Sequence, residues 1–152
     1  MKRARKTQAV IHAVVVRELK GEAALQSIYP LIKQLNPKMS RTVFQRRLRE
    51  MCAQDYRCAA AYLGDTIAGV AGFWTGTRFY CGKYMDIDNV VVDDTHRGEG
   101  IGALLMSWLE AKARREGCRI IVLDTYTHFT KAHKFYFREG YTILGYHFRK
   151  DV

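Results

Sequence analysis

Between Asp86 and Leu109 the chain passes from a strand through a glycine-rich turn into a helix, and this passage narrows the fold more than any other stretch. The strand is Asp-Ile-Asp-Asn-Val-Val-Val, and the turn is Asp-Asp-Thr-His-Arg-Gly-Glu-Gly-Ile-Gly. The helix sets Ile101, Leu104, Leu105, Trp108 and Leu109 on one face at the i, i+3, i+4, i+7, i+8 spacing. Gly98, Gly100 and Gly102 stand where turn becomes helix, so backbone N–H groups can approach a ligand with no Cβ in the way. The first amides of a helix lack intrahelical partners and carry the positive end of its dipole. Such a turn suits a pyrophosphate.

More than one kind of phosphate-bearing ligand uses this geometry. Gly98-x-Gly100-x-x-Ala103 fits the dinucleotide fingerprint, and Asp124 follows where a ribose-binding acid would stand. In that fold, however, the first glycine follows the strand almost at once, whereas here Asp93 to Arg97 intervene. A nucleotide P-loop is excluded, because no Gly-Lys-Ser or Gly-Lys-Thr follows.

Taken as Arg97-Gly-Glu-Gly-Ile-Gly102, the turn resembles the coenzyme A pyrophosphate loop of the GNAT N-acetyltransferase superfamily, Arg/Gln-x-x-Gly-x-Gly/Ala. Ala132-x-x-Phe135-Tyr136-x-x-x-Gly140-Tyr141 follows at the family's usual distance and resembles its second block. The resemblance covers about residues 14–149. It implies an α/β fold of the α+β kind, one mixed sheet whose central strands splay apart. It also implies acetyl-CoA as co-substrate, no metal, and direct acetyl transfer to a primary amine on a small molecule or peptide. Val90, Val91 and Val92 would bond the pantetheine arm through their backbone. Arg97, Gly98, Glu99, Gly100, Ile101, Gly102 and Ala103 would hold the pyrophosphate. Tyr136 would protonate the departing thiolate; an aromatic core residue is the competing reading. One position departs from the pattern: where many members carry Asn, this chain has Phe129, so the amide contact to pantetheine is either absent or replaced by Thr125, Thr127 or Thr130.

Transfer to an amine also requires that the acceptor lose a proton, since an alkylammonium with a pKa of about 10.4 is almost wholly charged at neutral pH. Asp86 and Asp88 are candidate bases because strand alternation points both to one face. A water chain, with one Asp as a structural partner, is the alternative. His128 and His133 have no catalytic partner in the sequence and read as surface groups.

A chain of 152 residues that is 48% apolar builds one core, so residues 9–152 are expected to form a single domain behind a basic, disordered tail at 1–8. No apolar run reaches membrane-spanning length and no secretory signal is present, which favours a cytoplasmic protein away from membranes. Cys52, Cys58, Cys81 and Cys118 have neither zinc spacing nor a C-x-x-C pair and read as reduced thiols. The net charge of +10 gathers in the tail and between residues 33 and 49, where Lys33, Lys38, Arg41, Arg46, Arg47 and Arg49 stand with no acid among them. Without interleaved aromatics or a helix-turn-helix this reads as a solvated face rather than a nucleic-acid site. A non-catalytic acyl-CoA-binding or nucleic-acid-binding module on the same fold is the rival function, and a homodimer is compatible with everything above.

The remaining order is a strand at Val14–Arg17, a helix over 22–35 interrupted at Pro30, and a second helix capped by Ser40 that runs to about Cys52. A hairpin at 56–74 turns at Gly64-Asp65, and a loop fills 75–83 before the central strand. After the main helix, stopped by Gly117, come a strand at Arg119–Asp124, a helix over 130–139, and two terminal strands at Tyr141–Leu144 and Tyr146–Arg149.

Overall fold

Cysteine and three alanines, Cys58 to Ala61, fill the middle of β2, Arg57–Leu63, on both faces, as a strand covered by helices on either side requires. The structure is a computed structural model that describes residues 13–152, so the basic tail expected at 1–8 lies outside it. β2 pairs antiparallel with β1, Val14–Glu18, on one side and with β3, Thr66–Arg78, on the other. β3 pairs antiparallel with β4, Gly82–Val92, and β4 pairs parallel with β5, Ile120–Leu123. The result is one five-stranded mixed sheet in sequence order.

Each face of the sheet has its own core. On one side Leu25, Ile28, Leu31, Ile32, Phe44 and Leu48 pack against Cys58, Ala60, Val70 and Val91. These come from α1, Glu22–Leu25, a short 3-10 turn at Gln26–Ile28, α2, Tyr29–Leu35, and α3, Arg41–Cys52. The helix expected over 22–35 is thus broken, and Pro30 sits in the first turn of α2, where its missing N–H costs nothing. Ser40 caps α3 as expected, its hydroxyl accepting from the Val43 amide at 3.2 Å. On the other side α4, Ile101–Arg115, buries Ile101, Leu105, Met106, Leu109 and Ala113 against Ala59, Ala61, Ala71, Phe73, Met85 and Ile87. Leu104, expected on that stripe, is exposed, and Met106 takes part instead. α5, Thr130–Arg138, adds Phe135 and Tyr136 to the same layer.

A partly buried ion network ties β1 and β2 to the end of α4. Arg57 holds Glu116 with both nitrogens, at 2.7 and 2.9 Å, and Lys112 bridges Glu116 at 3.2 Å and Glu18 at 2.8 Å. A bidentate guanidinium–carboxylate pair is the strong form of such contacts.

Two expectations need correction. The loop placed at 75–83 is only Phe79 to Cys81, because β3 runs to Arg78 and β4 begins at Gly82. Gly76 lies under the Tyr84 ring, 2.9 Å from where a Cβ would stand, so a bare backbone is what this pair of strands requires there. The terminal strands at 141–144 and 146–149 do not form. Ile143, Leu144, Tyr146 and Phe148 alternate like strand residues, but no layer covers them and they are 73–90% exposed.

Candidate active site

The ladder between β4 and β5 joins Tyr84–Ile87 to Ile120–Leu123 and then stops, while β4 continues to Val92. Opposite β3 the same strand carries a bulge. Val70 pairs with Val91 and Gly72 with Asp88, so three steps on β4 face two on β3. Asn89 takes up the extra residue with a left-handed φ of 52°. The central strands therefore part at their C-terminal ends, as expected, leaving the backbone of Val90 to Val92 without a partner on the β5 side.

The bulge also sets which way side chains point. Met85 and Ile87 face α4, so Asp86 and Asp88 face the α1–α3 side, opposite Trp74 and Gly72 of β3. Beyond the bulge Val91 joins the α1–α3 core, and Val90 and Val92 pack with the α4 layer. The strand pairing also brings in an acid not assigned to the site from sequence. Asp86 pairs with Val122, so Asp124, two residues on, lies on the same face as both aspartates. Burial raises the Asp86 carboxyl above its usual range, Arg78 at 3.7 Å pulls it back, and Asp124 and Asp88 push it up further. Asp88 is raised by burial first, with Asp124 adding to it and the Asn89 backbone amide opposing. Matching the parallel register of the two strands in the sequence would have found Asp124.

The turn leads from β4 into α4 through a short 3-10 piece at Asp94–His96. Asp93 starts it, accepting from the Thr95 hydroxyl at 2.5 Å, from Gln34 of α2 at 2.9 Å and from the Thr95 amide at 2.9 Å. These bonds, Thr95's foremost, hold its carboxyl down at about 2. Gly98 and Gly100 have φ of 85° and 80°, the left-handed region open to glycine, and a Cβ on either would meet nothing within 4 Å. The first α4 bond runs from Leu104 N to Gly100 O, so the amides of Ile101, Gly102 and Ala103 have no acceptor within the helix. Open space beside unpaired amides fits a pyrophosphate. Gly102 differs from the other two: a Cβ there would stand 3.2 Å from the Phe135 ring, so this glycine serves the packing of α5 on α4.

Tyr136 lies in the α4 layer, its ring centroid 5.2 Å from Phe135 and 5.9 Å from Tyr141. Burial alone raises its pKa, which keeps the phenol protonated at neutral pH. Phe137, next in sequence, is 54% exposed, so the three consecutive aromatics divide between core and solvent as helix geometry demands. Phe129 precedes α5 and stacks edge-on with Tyr126 and His128, while His133 bonds the Tyr126 carbonyl at 2.9 Å. Among the described residues no group of three His, Cys, Asp or Glu could hold a metal, and no helix is long and apolar enough to cross a membrane.

A mixed sheet opened beside a glycine turn at a helix N-terminus is the architecture that the sequence resemblance implies, and comparison with known proteins agrees on the family. A profile of the acetyltransferase (GNAT) family matches residues 25–141. An uncharacterized N-acetyltransferase, YhdJ, of Bacillus subtilis is 26% identical over 140 residues, spanning 90% of this chain and 98% of its own. An aminoalkylphosphonate N-acetyltransferase of Salmonella typhimurium is 38% identical over 67 residues, 44% of each chain. Among solved structures, an aminoglycoside acetyltransferase from an uncultured soil metagenomic sample superposes with a TM-score of 0.78 at 19% identity, covering 92% of this chain and 99% of its own. This chain belongs to the GNAT acetyltransferase family and is an N-acetyltransferase.

Proposed function

We propose that the protein transfers the acetyl group of acetyl-CoA directly to a primary amine held on the α1–α3 side of β4. The observation that carries this reading is the parting of β4 and β5 immediately before the glycine turn. It leaves strand backbone for a pantetheine arm and unpaired helix amides for a pyrophosphate in one continuous path. Val90, Val91 and Val92 supply the first, and Arg97 to Ala103 the second.

The amine attacks the thioester carbonyl, the C–S bond breaks, and the acetyl group leaves the sulfur. Two protons must move. Asp86 or Asp88, directly or through water, takes the proton from the ammonium before attack; a carboxyl raised by burial is a better base near neutral pH than a solvated one. Tyr136, its phenol neutral, protonates the departing thiolate, and the second proton that the nitrogen sheds on becoming an amide returns the phenolate to phenol. Asp124 extends the acidic face so that a cationic acceptor is drawn in, despite the basic character of the chain as a whole.

Thiol release from acetyl-CoA, measured against polyamines, amino acids, aminoglycosides, peptide N-termini and aminoalkylphosphonates, tests this. The last class enters because of the Salmonella relative. Amine-dependent release that survives moderate salt supports the assignment. Salt-sensitive nucleic-acid binding with no release from any amine overturns it in favour of a binding module.

A further inference from the structure

One partly buried cluster of polar groups beside β4 is unused by the chemistry above. Tyr56, immediately before β2, is 5% exposed, and its ring lies 5.0 Å from Trp74. Its hydroxyl stands 2.1 Å from the point where a Cβ on Gly72 would be. Gly72 is the β3 partner of Asp88, so the phenol passes through the gap a missing side chain leaves and reaches β4 at the bulge. There its polar neighbours are the Cys58 thiol and the Asn89 amide, the two side chains that act on the phenol. The same amide donates from Nδ2 to the Asp88 carboxylate. Nδ2 carries two hydrogens, enough for one bond to Tyr56 and one to Asp88. Asn89 is also the left-handed residue of the bulge, and a non-glycine residue keeps that backbone only where its surroundings hold it.

We propose that Tyr56 is a positioning residue for the acceptor chemistry: the phenol pins Asn89 in the bulge, and the Asn89 amide fixes the orientation of the Asp88 carboxylate. This rests on Asp88 serving as a base. Around Asp88 stand Tyr56 from the β2 side, Asp124 just beyond β5, itself 3.0 Å from His147, and Asp86 on its own strand, while Arg78 of β3 pairs with Asp86. With three acids on one face, an amide donor is what can favour the Asp88 anion in one fixed geometry.

The experiment uses Tyr56→Phe, which keeps the ring and removes the hydroxyl, alone and combined with Asp88→Asn. With the amine that turns over fastest in the panel, kcat/KM for the amine falls by about 5- to 20-fold in Tyr56→Phe, the acidic limb of its pH profile moves upward, and acetyl-CoA KM is unchanged. In the Asp88→Asn background the same change costs nothing further. Carbon-13 titration of the Asp88 carboxyl, which needs no turnover, moves upward in Tyr56→Phe. A loss of equal size in both backgrounds, or an Asp88 titration that does not move, overturns the proposal, since a merely structural tyrosine would lower the melting temperature and leave both readouts alone. If Tyr56→Phe does not fold, Asn89→Gly keeps the left-handed backbone, drops the amide, and must give the same two shifts. A wild-type rate in Asp88→Asn removes Asp88 from the base role, and the carboxyl titration then decides the positioning by itself.

Discussion

Phe135 of α5 packs 3.2 Å from the point where a side chain on Gly102 would begin, which fixes how closely the last helix approaches α4. Gly102 and Gly100 therefore differ in what they do, although they stand two residues apart in one motif. Gly102→Ala makes the ring give by a few tenths of an ångström, a strain of about 1 kcal/mol that the better helix propensity of Ala offsets by a similar amount, so the melting temperature is expected to move little. Gly100→Val meets no neighbour; its expense is the left-handed backbone at φ 80°, about 1–2 kcal/mol. In the folded Gly100→Val variant, calorimetric affinity for acetyl-CoA is expected to drop at least about tenfold as the strained turn draws its amides out of line. Unchanged affinity there would remove the pyrophosphate assignment.

Asp88→Asn should separate stability from activity. The folded-state pKa of Asp88 is raised, chiefly by burial, from an ordinary value of 3.8. A raised acid favours the folded state only below its unfolded pKa, and that advantage is lost as pH rises through the folded pKa. At pH 7 the ionised, half-buried carboxylate is therefore a cost, and Asn relieves it. The variant is expected to melt higher than wild type at pH 7, with the gain vanishing below about pH 4. Its kcat/KM is expected to fall by about 10²-fold and to recover partly as pH nears that of the free amine. A uniform loss of rate at every pH would mark Asp88 as structural, and the same comparison applies to Asp86→Asn.

Tyr136→Phe keeps the packing against Phe135 and Tyr141 and removes the proton donor. A fall in kcat of roughly 10²-fold at constant acetyl-CoA affinity is expected for a general acid. A change of only about 1 kcal/mol in stability, with kcat intact, is what a core aromatic would give. Measuring kcat, affinity and melting temperature on this variant decides between the two.

Glu116 governs acid stability. Arg57 first, then Lys112, hold its carboxyl at about 2 against an ordinary 4.5. A depressed acid stabilises the fold above its unfolded pKa and loses that contribution as pH falls through the folded one, here between about 4.5 and 2. Solvent reaches the rim of the network, so Glu116→Gln is expected to cost about 1–2 kcal/mol at pH 7 rather than the full unscreened value. The difference from wild type should shrink toward pH 2 in thermal melts. A pH-independent difference would place the effect in lost packing.

Much of this was legible in advance because the signals were local. Ser40 caps α3, Gly64-Asp65 turns the hairpin, and the glycines at 98 and 100 open the turn, each through a property of the residue itself. The two aspartates share a face because alternation over two residues needs no knowledge of neighbours. What escaped depends on a second strand. Glycines at 72 and 76 signal a bulge or a close approach, but that Tyr56 and Tyr84 make that approach shows only once the neighbouring segments are placed. Asn89 looks like any strand residue, since its left-handed backbone is dictated by the mismatch with β3. Tyr141 to Arg149 shows the reverse error: a strand-like pattern was present, but pattern alone supplies no partner.

The bulge at Asn89 carries a consequence for how such a chain can lose its activity. A single-codon deletion of Asn89 would let two steps on β4 face two on β3. It would leave Asp86 and Asp88 on the α1–α3 side, Val91 beside them, and Val90 and Val92 against α4, just as they are now. Every side chain keeps its layer, the left-handed residue is gone, and the sheet becomes more regular. The bulge beside the end of the β4–β5 ladder thus rests on one inserted amino acid that neither core requires, and its deletion is expected to leave the fold intact while amine-dependent thiol release is lost.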